Sequence, residues 1–214
     1  MDHTDEEQLE RLKEWWSKNG KFVVAGLVVG LAAVIGTRMW TDSRHRTAEA
    51  ASLQYEQLLQ LVEQGNAGEA EQLAGTLLTQ YSSTPYATLA KLILARLKVE
   101  QEDLAAAEAL LRQVAESADQ EAIREIARMR LARVLLADGK PDAAWSAIQG
   151  AGSSVNQADL EIIRGDIYLA QGKRAEARAA YERALTLGGR NQRLLRMRLD
   201  DLAMATAAGT ETTE

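Results

Sequence analysis

Sixteen consecutive residues, FVVAGLVVGLAAVIGT from Phe22 to Thr37, carry no charge. A helix that is apolar on every face has no side to turn toward water, so this run belongs either in a core or in lipid. As a helix it rises about 24 Å, slightly less than the roughly 30 Å of a hydrocarbon core. The flanks close that gap. Lys21 and Arg38 have stems long enough to snorkel to headgroups, and Met39 and Trp40 extend the apolar span. The expectation is a transmembrane helix over residues 22–40.

The run does not read as a cleaved leader. The residues before it are rich in acid (Asp2, Asp5, Glu6, Glu7, Glu10, Glu14), and GTRMWTDS after it lacks the small-x-small pattern a peptidase needs. Residues 1–21 are expected to form a short interfacial helix, with a frayed solvated tail as the alternative. Thr4 to Glu7 fit a capping box, Leu9, Leu12, Trp15 and Trp16 share one face, and Asn19-Gly20 reads as a stop. Within the span, Gly26 and Gly30 form a G-x-x-x-G whose small face continues through Ala33 and Thr37, a surface on which a second helix can approach closely. Arg11, Lys13, Lys18 and Lys21 precede the span and Arg38, Arg44 and Arg46 follow it, a balance that leans only slightly toward an N-terminus inside.

The other residues favour helix over sheet. Phe occurs once and Pro twice, and the β-branched and aromatic residues that strands prefer are scarce. The net charge of −6 leaves no dominant basic patch, so nucleic acid is excluded as a partner class. No cysteine is present, which removes disulfides, thiol chemistry and Cys-ligated metals.

From about Arg44 the apolar residues recur at three- and four-residue spacing, with breaks at Gly65, Asp103, Gly139 and Gly172. Ala70, Ala107, Ala144 and Ala177 are separated by 37, 37 and 33 residues. In the final copy Gly165, Tyr168, Ala177, Tyr181 and Ala184 follow one another at offsets of 3, 9, 4 and 3. That small-and-large alternation resembles the tetratricopeptide signature, in which small residues let the helices of a hairpin approach and large ones fill between. Degenerate copies follow on Ala132, Leu135, Ala144, Ile148 and Ala151, on Ala95, Ala107, Leu111 and Val114, and on Leu58, Leu61, Gly65, Ala70, Ala74 and Leu77. LLRMRLDDLA, from Leu194 to Ala203, has one apolar face and suits a cap on the last repeat. The expected fold is all-α: one transmembrane helix, then a tetratricopeptide-like α-solenoid over residues 41–207 with a C-terminal capping helix, and a disordered tail at 208–214.

Nothing in the chain reads as catalytic. His3 and His45 lie on opposite sides of the span, Gly139-Lys140 and Gly172-Lys173 lack the rest of a phosphate loop, and GAGSS from Gly150 lacks a dinucleotide fingerprint. No metal or other cofactor is expected. Function then falls to binding. In tetratricopeptide arrays the first helix of each hairpin lines the groove, which here selects Tyr55, Leu59 and Val62, then Leu92, Arg96 and Val99, then Met129, Arg133 and Leu136, then Ile162, Asp166 and Leu169. This lining is largely apolar with a few charges, unlike the Lys- and Asn-rich clamp of cochaperones. It suits loosely specific capture of apolar peptide, unless neighbouring repeats cover it.

The order of these parts, with WWSKNGK before the span, Arg38-x-Trp40 at its end, ASLQYEQL at Ala51 to Leu58 and the C-terminal LLRMRLDDLA, resembles the ancillary subunits of the bacterial SecYEG translocon. The resemblance covers nearly the whole chain. It implies a single-pass protein of the bacterial inner membrane, N-terminus cytoplasmic and repeats periplasmic, in contact with membrane lipid. The partners it implies are the SecYEG translocon, a membrane-anchored parvulin-like periplasmic chaperone, and unfolded exported proteins passed on to periplasmic chaperones. Two other arrangements stay open: a scaffold for envelope or cytochrome assembly, and an adaptor whose repeats face the cytoplasm.

Overall fold

The computed structural model describes residues 3–149, 151–152, 157–188 and 192–210. Gly150, Ser153 and Ser154 of the GAGSS stretch, the side chains of the Thr4–Glu7 capping box, and the tail residues 211–214 lie outside the described residues. Among the described residues there are nine helices and no strand: α1 (His3–Glu63), α2 (Ala67–Gln80), α3 (Pro85–Glu100), α4 (Leu104–Ser117), α5 (Glu121–Ala137), α6 (Pro141–Ile148), α7 (Gln157–Ala170), α8 (Arg174–Thr186) and α9 (Gln192–Thr210). Two units divide the chain, Met1–Ala50 and Ala51–Glu214, and α1 contributes to both.

The first unit is helical throughout its described residues. The expected stop at Asn19-Gly20 is not there. Asn19 stays inside the helix, its side-chain amide donating to the Trp15 carbonyl at 3.2 Å, and Gly20 packs under the Trp16 indole. One glycine costs a helix only about 1 kcal/mol, too little to break it between an amphipathic turn and an apolar run. The apolar stretch is long enough to cross a membrane, and none of its most apolar window is buried within the chain. Phe22, Leu27 and Val29 are each more than two-thirds exposed, at 77%, 72% and 69%. At the far end the Thr37 and Thr41 hydroxyls donate to the Val34 and Thr37 carbonyls, and Arg44 lies 3.9 Å over the Trp40 ring. Hydroxyls satisfied within the helix and a cation on an indole suit the edge of a bilayer.

In the second unit consecutive helices from α2 to α9 pack on one another. Each hairpin turns in the same way. Gly65, Glu102, Gly139 and Gly172 all have positive φ, at 77°, 62°, 71° and 76°. The N–H that follows each reaches back five residues, Asn66 to Leu61, Asp103 to Lys98, Lys140 to Leu135 and Lys173 to Tyr168, closing the helix in a Schellman arrangement. The carbonyls of those same four residues then accept from Ala70, Ala107, Ala144 and Ala177, opening the second helix. Turn and signature alanine are thus one unit. Asp103 adds a side-chain cap, accepting the Ala106 N–H at 3.0 Å. The break read at Asp103 is this cap, and the left-handed residue is its neighbour Glu102.

The small positions do the work the signature implies. Leu58, Ala95, Ala132 and Gly165 are all buried on first helices; Leu58 shares a core cluster with Ala74, Ala95 and Ala132 share one with Leu111 and Ile148, and Gly165 lies against Tyr181. The volumes compensate in the last repeat: a Cβ on Gly165 would come within 2.3 Å of the Tyr181 ring, and Tyr181 is fully buried. Two buried carboxylates tie the framework. Glu125 accepts the Gly152 N–H at 2.5 Å, holding the α6–α7 connection to α5. Glu161 is met by Arg164 at 2.5 Å and by Arg183 of α8 at 2.7 Å. Helix α9 closes the array with Leu195 and Leu202 against Tyr181 and Ala184, and continues to Thr210.

Candidate partner-binding surface

The residues selected for the groove fall into three rows, each one position of the first helix repeated along α1, α3, α5 and α7. The first row is Tyr55, Leu92, Met129 and Ile162. Tyr55 is half-buried and its ring lies 5.8 Å from that of Tyr86. Leu92 and Met129, however, are buried, with 6% and 8% of their surface exposed, and they share one core cluster. Ile162 is half-buried against the α8–α9 cluster. A continuous solvent-open apolar strip through Leu92, Met129 and Ile162 is therefore not what these residues make. Side chains at this position are taken up between successive repeats, because a repeat of two helices buries its apolar face only by stacking on its neighbours.

The second row is Leu59, Arg96, Arg133 and Asp166. Leu59 and both arginines are exposed, and Arg96 holds Glu100 at 2.8 Å. Asp166 is engaged: it accepts the Tyr181 hydroxyl at 2.6 Å and pairs with Arg198 of α9. That carboxylate locks the capping helix and is a structural link in this chain. Burial, then the hydrogen bond to Asp166, raises the Tyr181 phenol far above its ordinary value. The third row is Val62, Val99, Leu136 and Leu169. Val99 and Leu169 are exposed, while Val62 and Leu136 are half-buried against their clusters.

The exposed face left by this sorting is mixed rather than oily. Arg130, one residue beyond Met129 and one turn before Arg133, is also exposed, and the row-by-row reading passed over it. Partial desolvation by its neighbours, and next the charge of Arg133, lower the Arg130 guanidinium, with Arg96 adding to the effect and Tyr55 opposing it. Burial also raises the Tyr55 phenol, against the attraction of Arg130. The signal was present in RMRLAR, where three arginines follow at short spacing. A cavity of about 240 Å³ opens between the starts of α3 and α5, lined by Pro85, Thr88, Leu89, Ala118, Asp119, Gln120 and Ile123. Among the described residues no group of three or more His, Cys, Asp or Glu is placed to hold a metal. In the span, Gly26, Gly30 and Ala33 are exposed, and a Cβ on either glycine would meet nothing within 4 Å.

Comparison with known proteins agrees with this architecture. A family described as a tetratricopeptide repeat-like domain matches residues 13–204. A Haemophilus influenzae protein named Ancillary SecYEG translocon subunit is 32% identical over 204 residues, which cover 92% of this chain and 97% of that protein. The protein of the same name from Escherichia coli is 32% identical over 184 residues, 83% of this chain and 85% of its own. The Neisseria gonorrhoeae counterpart is 28% identical over 209 residues, 94% and 98% of the two chains. No solved structure gives a significant match. With a matching repeat domain, an apolar helix in front of it and relatives aligned from end to end, the chain belongs to the family of ancillary SecYEG translocon subunits.

Proposed function

We propose that the chain is a non-enzymatic, single-pass adaptor of the SecYEG translocon in a bacterial inner membrane. The N-terminus lies in the cytoplasm and the repeats lie in the periplasm, where they help pass newly exported chains to periplasmic chaperones. A membrane-anchored parvulin-like chaperone is a partner in that transfer. The observation that carries the reading is the end-to-end alignment with proteins named as translocon subunits, which spans the apolar helix and the capping helix alike. The exposed Gly26–Gly30–Ala33 face supports a helix partner in the bilayer. The exposed residues of the first helices support contact with polypeptide.

Topology and client contact test it together. The chain has no cysteine of its own, so Ala175→Cys, at an exposed position of α8, offers a single thiol. In cells with a permeabilised outer membrane an impermeant maleimide labels it. Labelling only after the inner membrane is broken overturns the orientation. A photo-crosslinker at Leu59 or Leu169 captures a stalled exported chain and the translocon; capture of envelope-assembly proteins alone overturns the adaptor role.

A further inference from the structure

Three junctions lie between successive first helices: α1 to α3, α3 to α5 and α5 to α7. Ala51, Thr88 and Glu125 hold one position of α1, α3 and α5, at the spacing that relates Tyr55, Leu92 and Met129. The connection into the next first helix contributes Tyr81 and Ala118, the residues that close α2 and α4, and Gly152 after α6. At the α5 to α7 junction the helix supplies the bulk. The Glu125 side chain is buried and accepts the Gly152 N–H at 2.5 Å, and a Cβ on Gly152 would come within 2.7 Å of that carboxylate oxygen. At the α1 to α3 junction the connection supplies it. Ala51 is small, and Tyr81 packs on its cluster with the hydroxyl accepting from the Gln54 amide at 3.2 Å. At the α3 to α5 junction neither does: Thr88 and Ala118 are both small, and both line the cavity of about 240 Å³. A hole of this kind is destabilising, because its lining lacks contacts on one side. A tyrosine or a glutamate at the matching place serves the junctions on either side.

The lining states what fits. Leu89 and Ile123 are half-buried on the edge of the largest core cluster, so the walls are apolar and rigidly backed. An apolar cavity of about 150 Å³ accepts a benzene, so 240 Å³ holds one leucine- or phenylalanine-sized group. Small-molecule sites start at about 300 Å³, which favours a single side chain over a whole ligand or an acyl chain. Asp119 is the one charged residue among the described residues of the lining, and it is exposed. Its carboxylate gives the mouth a negative charge, complementary to a cation beside the buried group. We propose that the α3 to α5 cavity is an anchor pocket for one large apolar side chain standing next to a basic residue in a partner polypeptide. The proposal rests on the reading of the repeats as a polypeptide-binding surface and adds the place and the chemistry of an anchor, the kind of pocket in which binding energy concentrates.

The test uses the full chain in zwitterionic nanodiscs and a short biotinylated alanine peptide carrying one photo-leucine followed by Lys, compared with the same peptide carrying Glu for Lys. After illumination, mass spectrometry is expected to place the crosslink at the start of α3 and in the α4 to α5 connection. Thr88→Leu puts a branched side chain into the cavity and should cut that crosslink about tenfold, the order expected for losing one buried apolar anchor. Its melting temperature should be unchanged or higher, since filling a hole stabilises. Ala175→Leu, at an exposed position of α8, leaves capture intact. The Lys peptide should be captured about threefold better than the Glu peptide, the order of an exposed ion pair, and Asp119→Asn should remove that preference. Capture elsewhere on the first helices, undiminished by Thr88→Leu, overturns the pocket while polypeptide binding stands. A lower melting temperature for Thr88→Leu shows the space to be packed already and overturns it too. Equal capture of the two peptides overturns the basic neighbour, and capture of neither overturns the pocket and the polypeptide reading together.

Discussion

At single residues, the repeat tolerates some departures from its pattern and not others. Glu102 holds the left-handed conformation that glycine supplies at the three equivalent turns. A side chain there costs about 1–2 kcal/mol, partly returned because glycine loses more freedom on folding. Glu102→Gly is therefore expected to stabilise the protein by up to about 1 kcal/mol, read as a higher urea midpoint at unchanged slope. Gly165 is the opposite case. Its Cα faces the Tyr181 ring, which is fully buried and tethered through its hydroxyl to Asp166, so the ring cannot retreat from a methyl group. Gly165→Ala should cost about 1–3 kcal/mol by overpacking. Pairing it with Tyr181→Leu should lose less than the sum of the two single changes, and strict additivity in the cycle would show that the contact is not the cause.

Elements are joined by a few polar links whose strength depends on pH. Glu71 of α2 receives Lys98 of α3 at 2.9 Å and the Gln101 amide. These hydrogen bonds hold the Glu71 carboxyl below its ordinary value of 4.5. A carboxylate whose value is lowered on folding contributes stability above the unfolded value and loses it as pH falls through the folded one. The melting-temperature difference between the native chain and Glu71→Gln should therefore shrink on acidification below about 4.5; a difference that persists at lower pH would place the effect in packing instead. The link is part-exposed, so its size is well under that of a buried pair. In the span the element-level question is the glycine face. Gly26→Leu with Gly30→Leu removes close backbone approach, the main source of attraction between helices in lipid. Co-purification with the membrane partner should fall while the repeats stay folded, and unchanged recovery would move that contact to the repeats.

For the repeat unit as a whole, stacking decides which residues face solvent. Leu92 and Met129 sit in the largest core cluster, so Leu92→Glu or Met129→Glu puts an unpaired carboxylate into apolar surroundings. The cost is several kcal/mol as an order of magnitude, and loss of the helical signal at physiological temperature is expected. Leu169→Glu, at a position 42% exposed, should stay within about 0.5 kcal/mol of the native chain. Equal tolerance at all three sites would return Leu92 and Met129 to an open groove.

The amino-acid sequence alone determined the periodic part of this protein. The spacing of Ala70, Ala107, Ala144 and Ala177 is local information, because each alanine sits a fixed few residues past a turn whose hydrogen bonds lie within one hairpin. Phe22 to Thr37 likewise announces its environment by composition, since an all-apolar helix has few places to go. Asn19-Gly20 misled because a stop signal worth about 1 kcal/mol is weak beside a long helix on both sides. What only the tertiary structure decided was exposure along the first helices. Leu92 and Leu59 belong to neighbouring rows and look alike in the sequence, yet one is sealed between repeats and the other faces outward. Asp166 reads as a free groove carboxylate until Arg198, 32 residues later, is found beside it. Those properties depend on pairs of residues far apart in the chain, and periodicity carries no information about which of them meet.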